Sequence, residues 1–431
     1  MEKRKAAVKN LGCKVNFYEA KQLENALLAA GFTLVDFSEW ADAYIVNTCS
    51  VTTIADKKSR QLLHRARELN PKALVVAAGC YADTGKDALI KDGAADMIIG
   101  NESKAQIPQL LLEKFGGIKE NETKEARKDV SENTEIPGAS LPARTRAFLK
   151  AQDGCNRFCS YCIIPHARGR VTSRSIQELV SESAALAAEG YQEIVVTGIH
   201  ISSYENGLAA LLESLSEIEG LKRIRLSSLE PTIVSEDFAR RISRLEKLCP
   251  HFHLSLQSGC DETLKRMNRH YNTEEYLKAV ERLRLAFPHP AITTDVIAGF
   301  PGETDEEFEE SLRFCEEVGF YQMHVFPYSK RKGTPAERMP GQLSNAVKAK
   351  RAQRLRLLTK AQEKEFLQAC LGSKMEILIE ENNTIDGDSY FTGHTREYVP
   401  AALAGEYAQG QIVTAKAERI LPDGTLVCEE V

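Results

Sequence analysis

Residues Asp153–Gly169 read DGCNRFCSYCIIPHARG. Three thiols, Cys155, Cys159 and Cys162, fall within eight positions, among Gly, Asn and Arg. A lone cysteine usually acts as a small buried hydrophobe. That reading suits Cys249, Cys260, Cys315, Cys370 and Cys428, whose neighbours suggest nothing else. It does not suit the trio. Thiolates so spaced hold zinc or an iron–sulfur cluster, and either site normally takes four protein ligands. With three, one metal position stays open, which points to catalysis rather than to a structural role. The alternative is a zinc site completed by a distant residue.

Three further cysteines gain meaning from the elements that carry them. Over residues 1–115 apolar strands alternate with amphipathic helices, the pattern of a parallel sheet covered on both faces. Cys13 ends the first strand (NLGCKVN), Cys49 another (VNTCSV) and Cys80 a third (AAGCY). Sites in open parallel sheets assemble at the C-terminal strand edge, so these three are expected to converge. The plain alternative is three unrelated strand-end cysteines.

Residues 116–142 are polar and charged, and read as a linker. A second βα series fills 143–343, with strands near 147–152, 192–201, 223–229, 252–257, 292–299 and 321–326. Six βα units predict a partial, open (β/α) barrel, with the trio after its first strand. Residues 344–371 read as a basic connecting helix; 344–373 hold seven Lys/Arg and two Glu. From 372 to 431 short alternating strands predict a small all-β barrel. The chain carries a net charge of −5 and no apolar run of membrane-spanning length. Its charged N-terminus lacks a signal-peptide core. A cytoplasmic protein without a membrane partner is expected.

Cys-x3-Cys-x2-Cys, with Tyr161 before the last cysteine, resembles the signature of radical S-adenosylmethionine (SAM) enzymes, in which SAM is the fourth ligand of a [4Fe–4S] cluster. GCNRFCSYCIIPHARG, RLSSLEP (Arg225–Pro231), HLSLQSGCDETLKRMNRHY (His253–Tyr271), DVIAGFPGET (Asp295–Thr304) and YSKRKGTPA (Tyr328–Ala336) together resemble the methylthiotransferase family of these enzymes. So does the order of parts: an N-terminal methylthiotransferase domain, a radical SAM core and a C-terminal TRAM barrel. The resemblance implies a second [4Fe–4S] cluster, on Cys13, Cys49 and Cys80, whose open iron carries the sulfur to be delivered. It also implies two SAM molecules, one methylating that sulfur and one cleaved reductively to start radical chemistry. LGCKVN and PHARGR are most similar to the MtaB type, which adds a methylthio group to C2 of N6-threonylcarbamoyladenosine at position 37 of tRNA. Other types act on isopentenyladenosine of tRNA or on a ribosomal-protein aspartate.

By position at strand ends, Thr197, Gly198, Glu230, Ser255, Gln257 and Gly299 join Tyr161 as candidate SAM contacts; for each the alternative is a turn, core or helix-capping role. The expected partners are the tRNA anticodon loop and an electron donor such as flavodoxin or ferredoxin, with the enzyme a monomer. Residues 139–175 carry seven Lys/Arg and one Asp, and with the basic helix could track a phosphate backbone. Residues 372–431 carry four Lys/Arg against eleven Asp/Glu, a poor electrostatic match to RNA. A reading of another class is an RNA-binding protein whose clusters are structural or redox-sensing.

Overall fold

A computed structural model describes residues 3–116 and 145–431. The linker expected over 116–142 lies outside the described residues, Gly116 excepted. The chain divides into two compact units. One contains the described part of Met1–Pro142 with Ile163–Gly169; the other contains Ala143–Cys162 and Arg170–Val431.

In the first unit five parallel strands, β1 (Lys5–Asn10), β2 (Thr33–Leu34), β3 (Ala43–Thr48), β4 (Leu74–Gly79) and β5 (Met97–Ile99), lie in the order β2-β1-β3-β4-β5. Every residue of β3 is buried, as a strand covered on both faces requires. Alternate residues serve opposite faces. Ala6, Ile45 and Val76 pack with Leu23, Leu27, Ile107 and Leu111 of helices Lys14–Ala29 and Ile107–Lys114. Ala7, Tyr44, Val46, Val75 and Ala77 pack with Leu63, Ala66 and Leu89 of helices Thr53–Leu69 and Lys86–Asp92. The reversal of strand order at β1/β3 is the switch point where such sheets open a crevice.

The second unit holds β6 (Arg146–Asp153), β7 (Thr172–Ser173), β8 (Glu193–Gly198), β9 (Arg223–Leu226), β10 (His251–His253), β11 (Ala291–Ala298) and β12 (Gln322–Pro327). Apart from the short antiparallel β7, they are the six expected strands. Pairing runs β7-β6-β8-β9 and β10-β11-β12, and parallel bridges Ile224–Leu248 and Leu229–Leu254 carry the sheet across the gap. Helices pack on the face bearing Leu149, Ile194, Val196, Leu226, Phe252, Leu254 and Val296. Three of these helices open with capping boxes, at Ser175, Asn272 and Thr304.

The other, inward face is polar. At the N-terminal strand ends Glu193, fully buried, meets Arg146 (2.9 Å), Arg225 (2.7 Å) and Arg223 (3.7 Å). One level up, His253 meets Thr293 (3.0 Å) and Asp295 (3.4 Å) and stacks on His324.

β13 (Lys374–Ile385), β14 (Asp388–Thr395), β15 (Pro400–Leu403), β16 (Ile412–Ile420) and β17 (Leu426–Glu430) pair in the order β13-β14-β15-β17-β16, and β16 returns to β13, closing the ring. The end of β14 and the loop after it cover the arginine layer. Arg223 and Arg225 donate to the carbonyls of His394, Thr395 and Arg396, and Tyr398 lies over both Arg146 and Arg225.

The basic helix divides its cations between the interior and solvent: Lys350, Arg356, Lys360 and Lys364 are exposed, and others are not. Helix Asn345–Cys370 buries Lys348, Arg351, Ala352, Leu355, Thr359 and Gln362, and Thr359 accepts the Met323 N–H of edge strand β12. Arg351 pairs with Glu303 and Asp305, each at 2.6 Å; Arg354 pairs with Glu309, and Arg356 donates to the Val325 carbonyl. Of the cations in 145–175, Arg146, Lys150, Arg157, Arg168 and Arg174 likewise pair with carboxylates. Part of the expected phosphate track is therefore committed to internal pairs, while Arg170, Lys350, Arg356, Lys360 and Lys364 stay exposed. Replacing Arg351 by Gln leaves Glu303 buried without its cation and should destabilise the protein by about 3–5 kcal/mol, whereas exposed Lys350→Gln should be neutral within about 0.5 kcal/mol. Urea unfolding of both variants checks this, and equal midpoints would refute the buried-pair assignment.

Candidate functional site

Each cysteine set sits where parallel strands end. In the first unit Cys13 precedes helix Lys14–Ala29 after β1, Cys49 follows β3, and Cys80 opens helix Cys80–Thr84 after β4. These strands are neighbours in the sheet, so the three cysteines lie along one edge of it. Gly12 has φ +105°, and a Cβ there would stand 2.8 Å from the Cys49 sulfur; only glycine lets the β1 turn approach so closely. Burial first, then the neighbouring Cys80 and Cys13 thiolates, push the Cys49 thiol up to about 11. Around the set, Asn47 donates to Asn10 (2.8 Å) and to the Asn16 carbonyl (2.9 Å), and Asn101 approaches the Cys80 sulfur at 3.7 Å. Arg168, from the segment following Cys162, donates to Asn16 and Glu19 within this same unit, and Lys104 also pairs with Glu19 at 2.6 Å.

In the second unit the loop after β6 carries Cys155, Cys159 and Cys162. The Cys162 N–H donates to the Cys159 carbonyl, which turns the chain so that the thiols share one region. The Cys155 sulfur accepts the Arg157 N–H at 3.5 Å, and the Cys159 sulfur accepts from Arg269 at 3.1 Å. Burial raises the Cys155 thiol, and Cys159 adds to the rise. Outside ties hold the loop: Ser160 N–H to the Met267 carbonyl, Ala336 N–H to the Ser160 carbonyl, and Asn268 to the carbonyls of Arg157 and Phe158.

The minor candidates gather at the same strand ends. Tyr161 packs edge-on against Phe300, beside Met267, Tyr328 and Ala336; burial holds its hydroxyl well above the ordinary range. Thr197 is buried at the end of β8. A side chain on Gly198 would strike Gln152, whose amide holds the Gly154 carbonyl and the His200 N–H. The Ser255 carbonyl anchors the Tyr271 hydroxyl. Gln257 adopts φ +71°, a strained value for a non-glycine residue, and bonds across to Asp295 and Ile297. Gly299 (φ +75°) lies against Lys348 and donates to Glu303.

Glu230 is 2% exposed. It does not cap the short helix after it through its side chain; its carboxylate meets Arg157 at 2.5 Å, His200 at 3.1 Å and Arg269 at 3.5 Å. Burial alone would raise its carboxyl, but the His200 hydrogen bond and the charges of Arg269, His200 and Arg157 outweigh it and hold the group down at about 2. Arg269, Arg157, His200 and Gln152 were not singled out from sequence. Arg269 sits inside the quoted RMNRHY, but its partner Cys159 lies 110 positions away, beyond any local pattern.

A partial six-stranded barrel whose first strand runs into Cys-x3-Cys-x2-Cys defines a radical SAM protein. Residues 149–315 match the Radical SAM superfamily, and residues 5–100 match Uncharacterized protein family UPF0004. The chain is 39% identical over 424 residues (95% of this chain, 93% of the relative) to threonylcarbamoyladenosine tRNA methylthiotransferase MtaB of Bacillus subtilis. MtaB of Aquifex aeolicus is 36% identical (90% and 95%), and that of Thermotoga maritima 33% (98% and 96%). The chain belongs to the MtaB family of methylthiotransferases. Among solved structures, the radical SAM methyltransferase TsrM from Kitasatospora setae gives a TM-score of 0.57 at 18% identity, covering 78% of this chain and 77% of that one; OxsB gives 0.53 at 13%, covering 83% and 56%. These show the fold alone.

Membership implies a [4Fe–4S] cluster and SAM. The donor set of the second unit fits that group: three thiols on one loop, flanked by N–H donors and two guanidinium groups. Among the described residues no three His, Cys, Asp or Glu side chains stand at the spacing of a single bound ion.

Because the Glu230 carboxyl is depressed, its stabilisation is full above the ordinary glutamate range near 4.5 and is lost as pH falls towards about 2. Glu230→Gln should therefore cost about 3 kcal/mol at pH 7, and the gap to the parent should narrow as pH drops below 4.5. Denaturant titrations at pH 7 and pH 3.5 test this; a gap that widens towards acid would refute the charge assignment.

Proposed function

We propose that this enzyme adds a methylthio group to C2 of N6-threonylcarbamoyladenosine at position 37 of tRNA, using a [4Fe–4S] cluster on Cys155, Cys159 and Cys162 and an auxiliary one on Cys13, Cys49 and Cys80. The observation that carries the reading is full-length similarity to the MtaB enzymes, together with cysteine triads at the C-terminal strand edges of both units. An adenine C2–H is too weakly acidic for ordinary general-base chemistry; a reduced [4Fe–4S] cluster with SAM supplies the radical chemistry that such a bond needs. The chain's own residues supply positioning. Cys155, Cys159 and Cys162 leave one ligand position for SAM. Tyr161, Thr197, Gly198, Glu230, Ser255, Gln257 and Gly299, at five strand ends, are the candidates for contacts to SAM. The polar inward level of His253, Thr293, Asp295 and His324 suits a hydroxyl-bearing substituent better than an isopentenyl chain. The work takes place in the cytoplasm, by a monomer that draws electrons from a flavodoxin- or ferredoxin-type donor.

The two triads should have separable roles. The Cys13/Cys49/Cys80 triple Ala variant, reduced anaerobically, should still cleave SAM to 5′-deoxyadenosine and keep about four irons per chain, yet form no methylthiolated nucleoside. The Cys155/Cys159/Cys162 variant should form neither product. Chromatographic quantitation of both products, with iron analysis, decides. Methylthiolated nucleoside from the first variant would overturn the auxiliary assignment. Methylthiolation of isopentenyladenosine instead, by the parent enzyme, would overturn the substrate.

A further inference from the structure

Arg269 reaches a cysteine sulfur, the buried carboxylate and a tyrosine hydroxyl at once. Its guanidinium is 8% exposed. Nε donates to the Tyr271 hydroxyl at 3.0 Å, Nη1 to the Cys159 sulfur at 3.1 Å, and Nη2 faces Glu230 at 3.5 Å. The group also stacks 4.8 Å from the Tyr271 ring centroid. Tyr271 is fixed in turn, since its hydroxyl donates to the carbonyls of Ser255 and Leu256. A guanidinium never deprotonates in a protein and presents its donors as a rigid fork. Its position here is therefore set by three independent contacts.

The charge count shows the purpose. Glu230 is one anion facing two permanent cations, Arg157 and Arg269. Before any contribution from His200 the group carries a surplus positive charge, directed at the sulfur of Cys159. Hydrogen bonds to cluster sulfurs and nearby charge set a cluster's reduction potential, because they stabilise the more anionic reduced state. We infer that Arg269 is a positioning residue that raises the reduction potential of the cluster held by Cys155, Cys159 and Cys162 through its hydrogen bond to the Cys159 sulfur, so that a one-electron donor of ordinary potential can reduce it. Glu230 keeps the guanidinium aimed, and its pairing with Arg157 and His200 prevents it from cancelling the effect. This rests on the radical SAM reading of the triad, and the test separates the two.

The test uses full-length protein lacking the auxiliary triad (Cys13, Cys49 and Cys80 to Ala), reconstituted anaerobically, so that a single cluster is observed. If this parent binds no iron, the radical SAM assignment fails irrespective of Arg269. With a loaded parent, Arg269→Gln should retain iron and show a midpoint potential, by EPR-monitored titration, more negative than the parent; Arg269→Lys should fall between. 5′-Deoxyadenosine formation with dithionite should drop at least tenfold in Arg269→Gln and recover with the stronger reductant titanium(III) citrate. A purely structural residue would not show rescue by reductant strength. Failure to load in Arg269→Gln would make Arg269 a residue needed to assemble the cluster and would overturn its assignment as one that tunes the potential of a loaded one. An unchanged potential in loaded Arg269→Gln, or loss of iron in both variants, overturns it.

Discussion

Parallel pairing dictates where this protein can do chemistry. Strands that run the same way end at the same edge, so residues far apart in sequence arrive together there without any side chain having to bring them. Both units use this. Cys13, Cys49 and Cys80 follow three adjacent strands of the first sheet, and the loop of Cys155, Cys159 and Cys162 follows the first barrel strand, with Glu230 beyond the third. The opposite ends of the barrel strands carry arginines and a glutamate and make contacts to the C-terminal module instead. One rule of pairing separates reactive from stabilising residues.

Permanent cations do most of the remaining work in the second unit. Two buried carboxylates, Glu193 and Glu230, sit at opposite ends of the strands, each held by arginines. Losing one partner of such a group leaves the other uncompensated in a medium that cannot solvate it. The arrangement at Glu193 fixes the module below. That at Glu230 holds the cysteine loop from outside, through Arg157 within the loop and Arg269 across from it.

What could be read from sequence follows the range of the interactions involved. Strand and helix positions rest on local periodicity, and Ala43–Thr48 or Asp305–Val318 are legible for that reason. The strand-end positions of Cys13, Cys49 and Cys80 are legible because the strands that carry them are. Arginine is the opposite case: its long stem reaches anions anywhere, so a run such as KAKRAQRLR reads as a solvated basic face while Arg351 is buried on Glu303 and Asp305. The same blindness hid Arg269. The short strands β2 and β7, of two residues each, carry no periodicity to find. The ring of strands at the C-terminus was legible as alternation, but its docking through Arg396 and Tyr398 onto the barrel's arginines was not.

That docking also orders events at the ribosome. Arg223 and Arg225 stand about two-fifths of the chain before the carbonyls of His394, Thr395 and Arg396 that accept their hydrogen bonds. Until those residues leave the exit tunnel, Arg223 and Arg225 have Glu193 but not their final carbonyl acceptors. The barrel can collapse around its apolar face during synthesis, but its floor is not complete by that alone. Completion of that floor requires the C-terminal module, which is translated long after the barrel strands whose arginines it accepts.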